Sequence, residues 1–133
     1  MNKRILLIDD NPQIRTSLCR LLSVAGYYVS DASNGREGLR KLAFEPVDLV
    51  VTDLVMPEME GIETIFSIRR LRPTMPIIAM SGGGIGDAKT YLAVALKAGV
   101  GRAFAKPFEN SEFLSAIKEL LEAAVSSVSQ ITP

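Results

Sequence analysis

Strand-like and helix-like apolar patterns alternate along the whole chain, and this alternation constrains the fold more than any other feature. Short apolar runs are each followed by a stretch with apolar residues at helical spacing. The strands are predicted at residues 5–8, 27–30, 48–52, 76–80 and 102–105, and the helices at 12–26, 34–44, 61–71, 87–98 and 110–125. Consecutive strand–helix units joined by right-handed crossovers predict an α/β fold, a five-stranded parallel sheet doubly wound by helices on both faces.

The length and composition favour one soluble domain. With 133 residues, 47% of them hydrophobic, the chain is long enough for one core and short for two. We expect the domain to occupy residues 1–125 and the polar residues 126–133 to form a flexible tail. No apolar stretch approaches the roughly 20 residues that span a bilayer, and the run at 5–8 is too short for a signal peptide, so we expect no membrane contact and a cytoplasmic location.

The charge balance and the absent residue types exclude several classes of function. Lys plus Arg and Asp plus Glu both number 15, so direct electrostatic binding to nucleic acid is not expected. The chain has no histidine, which excludes histidine-ligated metals, Ser-His-Asp triads and a phosphohistidine of its own. Cys19 is the single cysteine, so no internal disulfide can form.

Polar residues follow the predicted strands at the end where a doubly wound sheet binds its ligands. Asp9 and Asp10 follow the first strand and Asp53 the third. Ser81 follows the fourth strand and Lys106 the fifth. The carboxyl ends of parallel strands meet at one edge, so these side chains are expected to converge. Neighbouring carboxylates repel one another unless a cation joins them, and oxygen ligands favour Mg²⁺.

The same side chains suit phosphoryl transfer. A transferring phosphoryl group carries negative charge on its oxygens, which the ammonium of Lys106 and a hydroxyl donor at Ser81 can stabilise. Asp53 is the natural nucleophile, because a carboxylate can form an aspartyl phosphate.

Several short motifs, taken together, resemble those of response-regulator receiver domains. They are Ile-Asp-Asp-Asn-Pro at 8–12, Asp53 followed by Met56-Pro57 and Gly61, Ser81-Gly82, and Lys106-Pro107-Phe108. The resemblance covers roughly residues 3–125 and implies the flavodoxin-like strand order 2-1-3-4-5. It also implies that a sensor histidine kinase or a histidine phosphotransfer protein donates the phosphoryl group.

The resemblance further implies a role for each site residue. Asp53 is the phosphoacceptor, Lys106 and Ser81 assist it, Asp9, Asp10, Asp53 and the backbone carbonyl of Val55 hold Mg²⁺, and Ser81 and Phe104 form the switch. In this switch the hydroxyl moves toward the phosphoryl group and the aromatic ring turns into the space that it leaves.

The signal is expected to leave through residues 87–125, toward a downstream effector or a second copy of the chain. The predicted helix at 87–98 has more apolar positions than one buried stripe requires, namely Tyr91, Leu92, Val94, Ala95 and Leu96. A deeper contact with the core is the alternative explanation. The glycine-rich segment 82–86 would lower the barrier to movement beside Ser81.

Two other functions stay open at this point. An aspartyl-phosphate phosphatase with an outside substrate would use an Asp-x-Asp pattern, whereas Asp9 and Asp10 are adjacent. An interaction module can keep the fold without being phosphorylated, although the intact acids and Lys106 argue against this. We expect a signalling domain that catalyses only its own phosphorylation and dephosphorylation, either as a stand-alone regulator or as part of a longer protein.

Overall fold

In the computed structural model of the chain, the described residues are 2–54, 60–82, 93 and 95–131. They form one parallel sheet with helices on both faces. The strands are β1 (Arg4–Ile8), β2 (Tyr28–Ala32), β3 (Leu49–Asp53), β4 (Ile77–Gly82) and β5 (Arg102–Lys106). The helices are α1 (Pro12–Val24), α2 (Gly35–Phe44), α3 (Glu60–Leu71) and α4 (Asn110–Ile131). Residues 95–97 are also helical, and most of the predicted helix at 87–98 lies outside the described residues.

The five-stranded sheet has the order β2-β1-β3-β4-β5, which confirms the implied topology. Every pair of neighbouring strands is parallel. The chain first moves outward from β1 to β2 and then returns past β1 to β3, so the order reverses between β1 and β3. In open α/β sheets ligands bind beyond the carboxyl ends of the strands at such a reversal. The expected position of the site therefore lies beside Ile8 and Asp53, where these two strands end.

Alternate residues of the central strands pack into two separate cores. The α2–α3 core contains Leu6, Val50, Ile77 and Ala79 together with Leu42, Ile65 and Ile68. The α1–α4 core contains Leu7, Val51, Ile78 and Met80 together with Leu22, Phe113 and Ile117. Burying one large aliphatic side chain contributes about 1.5–3 kcal/mol to folding. The doubly covered sheet is therefore a firm support for the residues at its carboxyl edge.

Asparagine caps begin the two helices that follow β1 and β2. The Oδ1 atom of Asn11 accepts hydrogen bonds from the backbone N–H groups of Gln13 (2.9 Å) and Ile14 (3.2 Å). The Oδ1 atom of Asn34 accepts one from the backbone N–H of Glu37 at 2.8 Å. Caps of this kind typically stabilise a helix by about 1 kcal/mol. The cap at Asn11 fixes the start of α1 directly after Asp9 and Asp10, the acidic pair that follows β1.

Four strands, β2 to β5, extend one or two residues further toward the site than the sequence predicted. β4 continues through Ser81 and Gly82, because these residues pair with Ala105 and Lys106 of β5. The glycine that was expected to open a loop is therefore the last residue of a strand. Ser81 and Lys106 thus lie within hydrogen-bonded strands, which fixes their positions more firmly than a loop would.

The last helix also continues past its predicted end near residue 125 and reaches Ile131. No glycine or proline interrupts residues 110–131, and Val125 and Val128 continue the helical spacing of Leu121. The segment expected to be a flexible tail is therefore mostly helical, and residues 132–133 lie outside the described part. None of the helices described is long and apolar enough to cross a membrane.

Candidate functional site

Three acidic side chains meet at the carboxyl edge of the sheet, as the sequence predicted. One carboxylate oxygen from each of Asp9, Asp10 and Asp53 lies within 4.8 Å of the others. Asp9 and Asp53 are buried, with exposed fractions of 0% and 4%, whereas Asp10 is exposed. Two of the acids are therefore held in the floor of the site and the third lies at its opening.

Lys106 connects the last strand to the first and third. Its Nζ atom lies 2.9 Å from Oδ2 of Asp9 and 3.6 Å from Oδ2 of Asp53. The lysine side chain runs past Gly82, since a Cβ added to that glycine would lie 3.4 Å from Cδ of Lys106 and 3.7 Å from its Nζ. The lysine is therefore guided along β4 toward the buried acids, which is the convergence predicted from the strand ends.

Asp9 is fixed on every side by hydrogen bonds. Its backbone N–H donates to the carbonyl of Ala32 at 3.1 Å, and its carbonyl accepts from Nη1 of Arg15 at 2.9 Å. Its Oδ1 atom accepts from the backbone N–H of Asn11 at 2.9 Å, and Oδ2 accepts from Lys106. Because all four polar atoms of Asp9 have partners, this residue acts as the rigid element of the acidic pair.

The charges at the site fit a hard divalent cation. Lys106 supplies one positive charge beside three carboxylates, so negative charge remains in excess. Carboxylate oxygens are the ligands that Mg²⁺ prefers, and no histidine is available for a softer metal. Asp9, Asp10 and Asp53 could hold such an ion. Val55, whose carbonyl was expected to join them, lies outside the described residues.

Ser81 places a buried hydroxyl at the same edge. The residue is 1% exposed, and its Oγ atom has no hydrogen-bond partner within the described part of the chain. A buried hydroxyl without a partner costs free energy, typically about 1–3 kcal/mol. The hydroxyl is thus able to donate to an oxygen that enters the site, as the sequence analysis expected.

Phe104 is on the opposite face of the sheet from Ser81. Ser81 continues the alternation of Ile77 and Ala79, which pack into the α2–α3 core. Phe104 packs into the α1–α4 core instead and is only 7% exposed. Its ring lies 5.5 Å from that of Phe108 and 5.9 Å from that of Phe113.

This geometry contradicts the expected inward turn of Phe104. A ring on one face cannot occupy space that Ser81 leaves on the other. The β5 residues on the Ser81 face are Ala103, which packs against the α2–α3 core, and Ala105. The described residues of β5 therefore provide no aromatic side chain on the Ser81 face, and Phe104 is a core residue.

Replacing Phe104 with Leu should accordingly lower stability without altering the response to phosphorylation. The loss of two ring–ring contacts is expected to cost about 2 kcal/mol, measured by thermal unfolding. Amide exchange near Ser81 should respond to phosphorylation as in the unmodified chain. Phe66→Leu, at a half-exposed ring on α3, is the control and should cost much less. An abolished exchange response in Phe104→Leu would show that the ring takes part in the switch.

Two further residues support the site, and the sequence patterns did not predict their roles. Arg15 binds the carbonyl of Asp9, and nothing in its helical spacing indicates that its side chain turns back to the strand end. Gly61 was noted only as part of a motif. A Cβ atom added to Gly61 would lie 2.5 Å from the carbonyl oxygen of Asp53, so α3 begins in direct contact with the strand end. A glycine can be required either by close backbone packing or by a turn, and the sequence alone does not show which of the two applies.

The strand order and the oxygen-lined acidic edge define a flavodoxin-like α/β domain with its site at the switch point of the sheet. Comparison with known families specifies the class further. The response regulator receiver domain family matches residues 5–118, and the chain belongs to this family. It is therefore a receiver domain of two-component signalling.

Known relatives agree with this assignment. The chemotaxis protein CheY of Thermotoga maritima is 36% identical over 121 residues, which cover 90% of this chain and 98% of that protein. The transcriptional regulatory protein GlrR of Escherichia coli K12 is 36% identical over 127 residues, covering 95% of this chain but 28% of that protein. The chain thus spans about a quarter of the length of that regulator.

A solved structure gives the same result. The CheY-like receiver domain protein of Methanospirillum hungatei superposes with a TM-score of 0.85 at 32% identity, covering 96% of this chain and 99% of that one. The predicted fold and the predicted family are therefore both confirmed.

Proposed function

We propose that Asp53 is the residue that accepts the phosphoryl group, from a phosphohistidine of a sensor kinase or of a histidine phosphotransfer protein. The observation that carries this proposal is the position of its carboxylate. It is buried at the end of β3, within 4.8 Å of the other two acids, and 3.6 Å from the ammonium of Lys106. A cation and a hydroxyl donor beside a buried carboxylate suit the charge of a phosphoryl group.

The proposed step is a single displacement at phosphorus. A carboxylate oxygen of Asp53 forms a bond to phosphorus while the bond from phosphorus to the donor atom breaks. The donor leaves with that electron pair, and nothing is oxidised or reduced. The product is an acyl phosphate, and water reverses the modification by taking the phosphoryl group away.

The acids Asp9, Asp10 and Asp53 would hold Mg²⁺, with the carbonyl of Val55 as a further proposed ligand. A bound Mg²⁺ ion would add positive charge beside the phosphoryl oxygens. Within the chain, Asp9 is already engaged by Lys106 and by the backbone of Asn11. It is therefore suited to a supporting position, and the exposed carboxylate of Asp10 to direct contact with the ion.

Lys106 and Ser81 would stabilise the product. Lys106 is close enough to Asp53 to contact a group attached to that carboxylate. The buried hydroxyl of Ser81 would donate to a phosphoryl oxygen and so gain the hydrogen bond that it lacks among the described residues. Its movement would be the first event of the switch.

The change would then be transmitted to residues 87–125, where a downstream effector or a second copy of the chain would bind. Leu96 is 54% exposed and supports this proposal, whereas Tyr91, Leu92 and Val94 lie outside the described residues. We place this exchange in the cytoplasm, where phosphorylated kinases present their histidines.

Incubation with acetyl phosphate and Mg²⁺ tests the function. The intact mass should rise by one phosphoryl group, and removal of Mg²⁺ with a chelator should stop the reaction, because the acids then lack their cation. The adduct should decay on standing as the acyl phosphate hydrolyses.

The same experiment separates the alternatives. An unphosphorylated interaction module would gain no mass under any condition. A phosphatase with an outside substrate would also turn over a phosphate monoester such as p-nitrophenyl phosphate, which the proposed domain should leave unchanged. Mass gain that is independent of Mg²⁺ would contradict the proposed metal role.

A further inference from the structure

We propose that Arg15, oriented by Asp31, is a positioning residue that sets the direction of the Asp10 carboxylate for binding a divalent cation. The inference rests on the proposed function, since it concerns the same acidic site. Arg15 is positively charged and lies next to a proposed cation site, where electrostatic repulsion alone would disfavour a basic residue.

The side chain of Arg15 bridges two strand ends. Its Nη1 atom donates to the carbonyl oxygen of Asp9 at 2.9 Å. Its Nε atom donates to Oδ2 of Asp31 at 3.1 Å, which is also an ion pair. The arginine side chain is only 20% exposed. The planar guanidinium offers its donors in a fixed fork, so satisfying both acceptors fixes the plane of the group.

The hydrogen bond from Arg15 to the Asp9 carbonyl orients the backbone at Asp10. The carbonyl of Asp9 and the N–H of Asp10 belong to one planar peptide unit. A donor that fixes the carbonyl direction therefore fixes the orientation of the backbone from which the Asp10 side chain extends. The Asp9 side chain is held separately by Asn11 and Lys106. Arg15 thus acts on the one acid of the pair that is exposed.

The backbone of Asp31 is held on two sides, although its side chain is 47% exposed. It pairs with Leu7 of β1 in the sheet, and its backbone carbonyl accepts a hydrogen bond from the ammonium of Lys41 on α2. Lys41 in turn lies 3.7 Å from a carboxylate oxygen of Glu37. The support for Arg15 is therefore anchored in β2 and α2, and Asp31 offsets the positive charge of the guanidinium.

Electrostatics and positioning predict opposite effects when Arg15 is removed. The guanidinium on the Asp9 backbone carbonyl adds positive charge next to the acidic site and repels an incoming cation, so its loss alone should strengthen Mg²⁺ binding. If the arginine instead fixes the geometry of the acidic pair, its loss should weaken Mg²⁺ binding. The sign of the change in dissociation constant therefore distinguishes the two.

The experiment is a calorimetric Mg²⁺ titration of the unphosphorylated chain. Arg15→Lys keeps the charge but cannot reproduce the planar fork, and its dissociation constant for Mg²⁺ should rise about tenfold, as is common when a group that orients a metal ligand is replaced. Arg15→Ala should also bind Mg²⁺ more weakly than the unmodified chain. Arg20→Lys, the same change at an exposed residue of α1, is the matched control and should bind as the unmodified chain does.

Phosphorylation kinetics provide a second measurement. In Arg15→Lys the Mg²⁺ concentration for half-maximal phosphorylation by acetyl phosphate should rise, while the maximal rate at saturating Mg²⁺ should be nearly unchanged. A purely structural role would instead lower the thermal midpoint and the maximal rate together. Asp31→Asn, which keeps an acceptor for Arg15 but removes its charge, should shift Mg²⁺ binding in the same direction by a smaller factor.

Unchanged Mg²⁺ binding in Arg15→Lys, or tighter binding in Arg15→Ala, would overturn the inference. Should Arg15→Ala fail to fold, Arg15→Lys and Asp31→Asn still decide it. If the unmodified chain itself binds no Mg²⁺ and gains no phosphoryl group, the proposed function fails instead. The two failures are therefore distinguishable.

Discussion

Replacing Asp53 with Asn is expected to reduce phosphoryl uptake from acetyl phosphate by at least about 1,000-fold while leaving the domain folded. The carboxamide has nearly the shape of the carboxylate and suits a site that is 4% exposed. It is, however, a poor nucleophile and cannot form the acyl phosphate. Removing one of three crowded carboxylates also relieves repulsion, so the thermal midpoint without Mg²⁺ should not fall greatly.

Asp48→Asn is the matched control, because Asp48 directly precedes β3 and Asp53 ends it. The Oδ2 atom of Asp48 accepts a hydrogen bond from the backbone N–H of Arg4 at 2.8 Å, far from the acidic cluster along the strand. This variant should gain mass as quickly as the unmodified chain. If Asp53→Asn gains a phosphoryl group at the same rate as Asp48→Asn, another residue is the acceptor.

Replacing Gly61 with Ala should destabilise the domain by about 3 kcal/mol, or about 10 °C in Tm. The added Cβ would lie 2.5 Å from Cα and the carbonyl oxygen of Leu54 and from the carbonyl oxygen of Asp53. All three are backbone atoms and cannot rotate away, so either α3 or the end of β3 must move. Because that end carries Asp53, the phosphorylation rate should fall as well.

Gly101→Ala is the control for the Gly61 prediction. The Cβ added there would lie 2.6 Å from a methyl group of Leu120, which is the flexible end of a side chain. That methyl group can shift, so the loss of stability should be clearly smaller. Equal losses in the two variants would mean that the contact between α3 and the strand end does not matter. Thermal unfolding and the acetyl phosphate assay measure both effects.

The order of the elements and the convergence of the acids followed directly from the sequence. Buried parallel strands leave continuous apolar runs, and the residues after them must meet at one edge of the sheet. This reasoning placed Asp9, Asp53 and Lys106 correctly relative to one another. It needed no exact strand boundaries, because a shift of one residue changes the position of a strand end by only about 3 Å.

The face of the sheet to which each side chain points was harder to predict from the sequence. In a strand, neighbouring residues point to opposite faces, so identifying the right aromatic requires the exact phase of β5. The sequence showed an aromatic near Lys106 but not that Phe104 shares a core with Phe113. Contacts between distant elements, such as that from Arg15 to Asp31, also depend on side-chain directions that local patterns do not specify.

The ion pair between Lys106 and Asp9 joins residues that are 97 positions apart in the chain. It connects the first strand to the last, and β5 lies at the edge of the sheet, next to β4 alone. A nascent chain that has formed β1 to β4 would already gather its three carboxylates but would lack the lysine. Competence for signalling is therefore expected to arise late in folding. Phosphorylation would therefore be restricted to molecules in which β5 has packed against β4. Incompletely folded molecules would not be phosphorylated and would not signal.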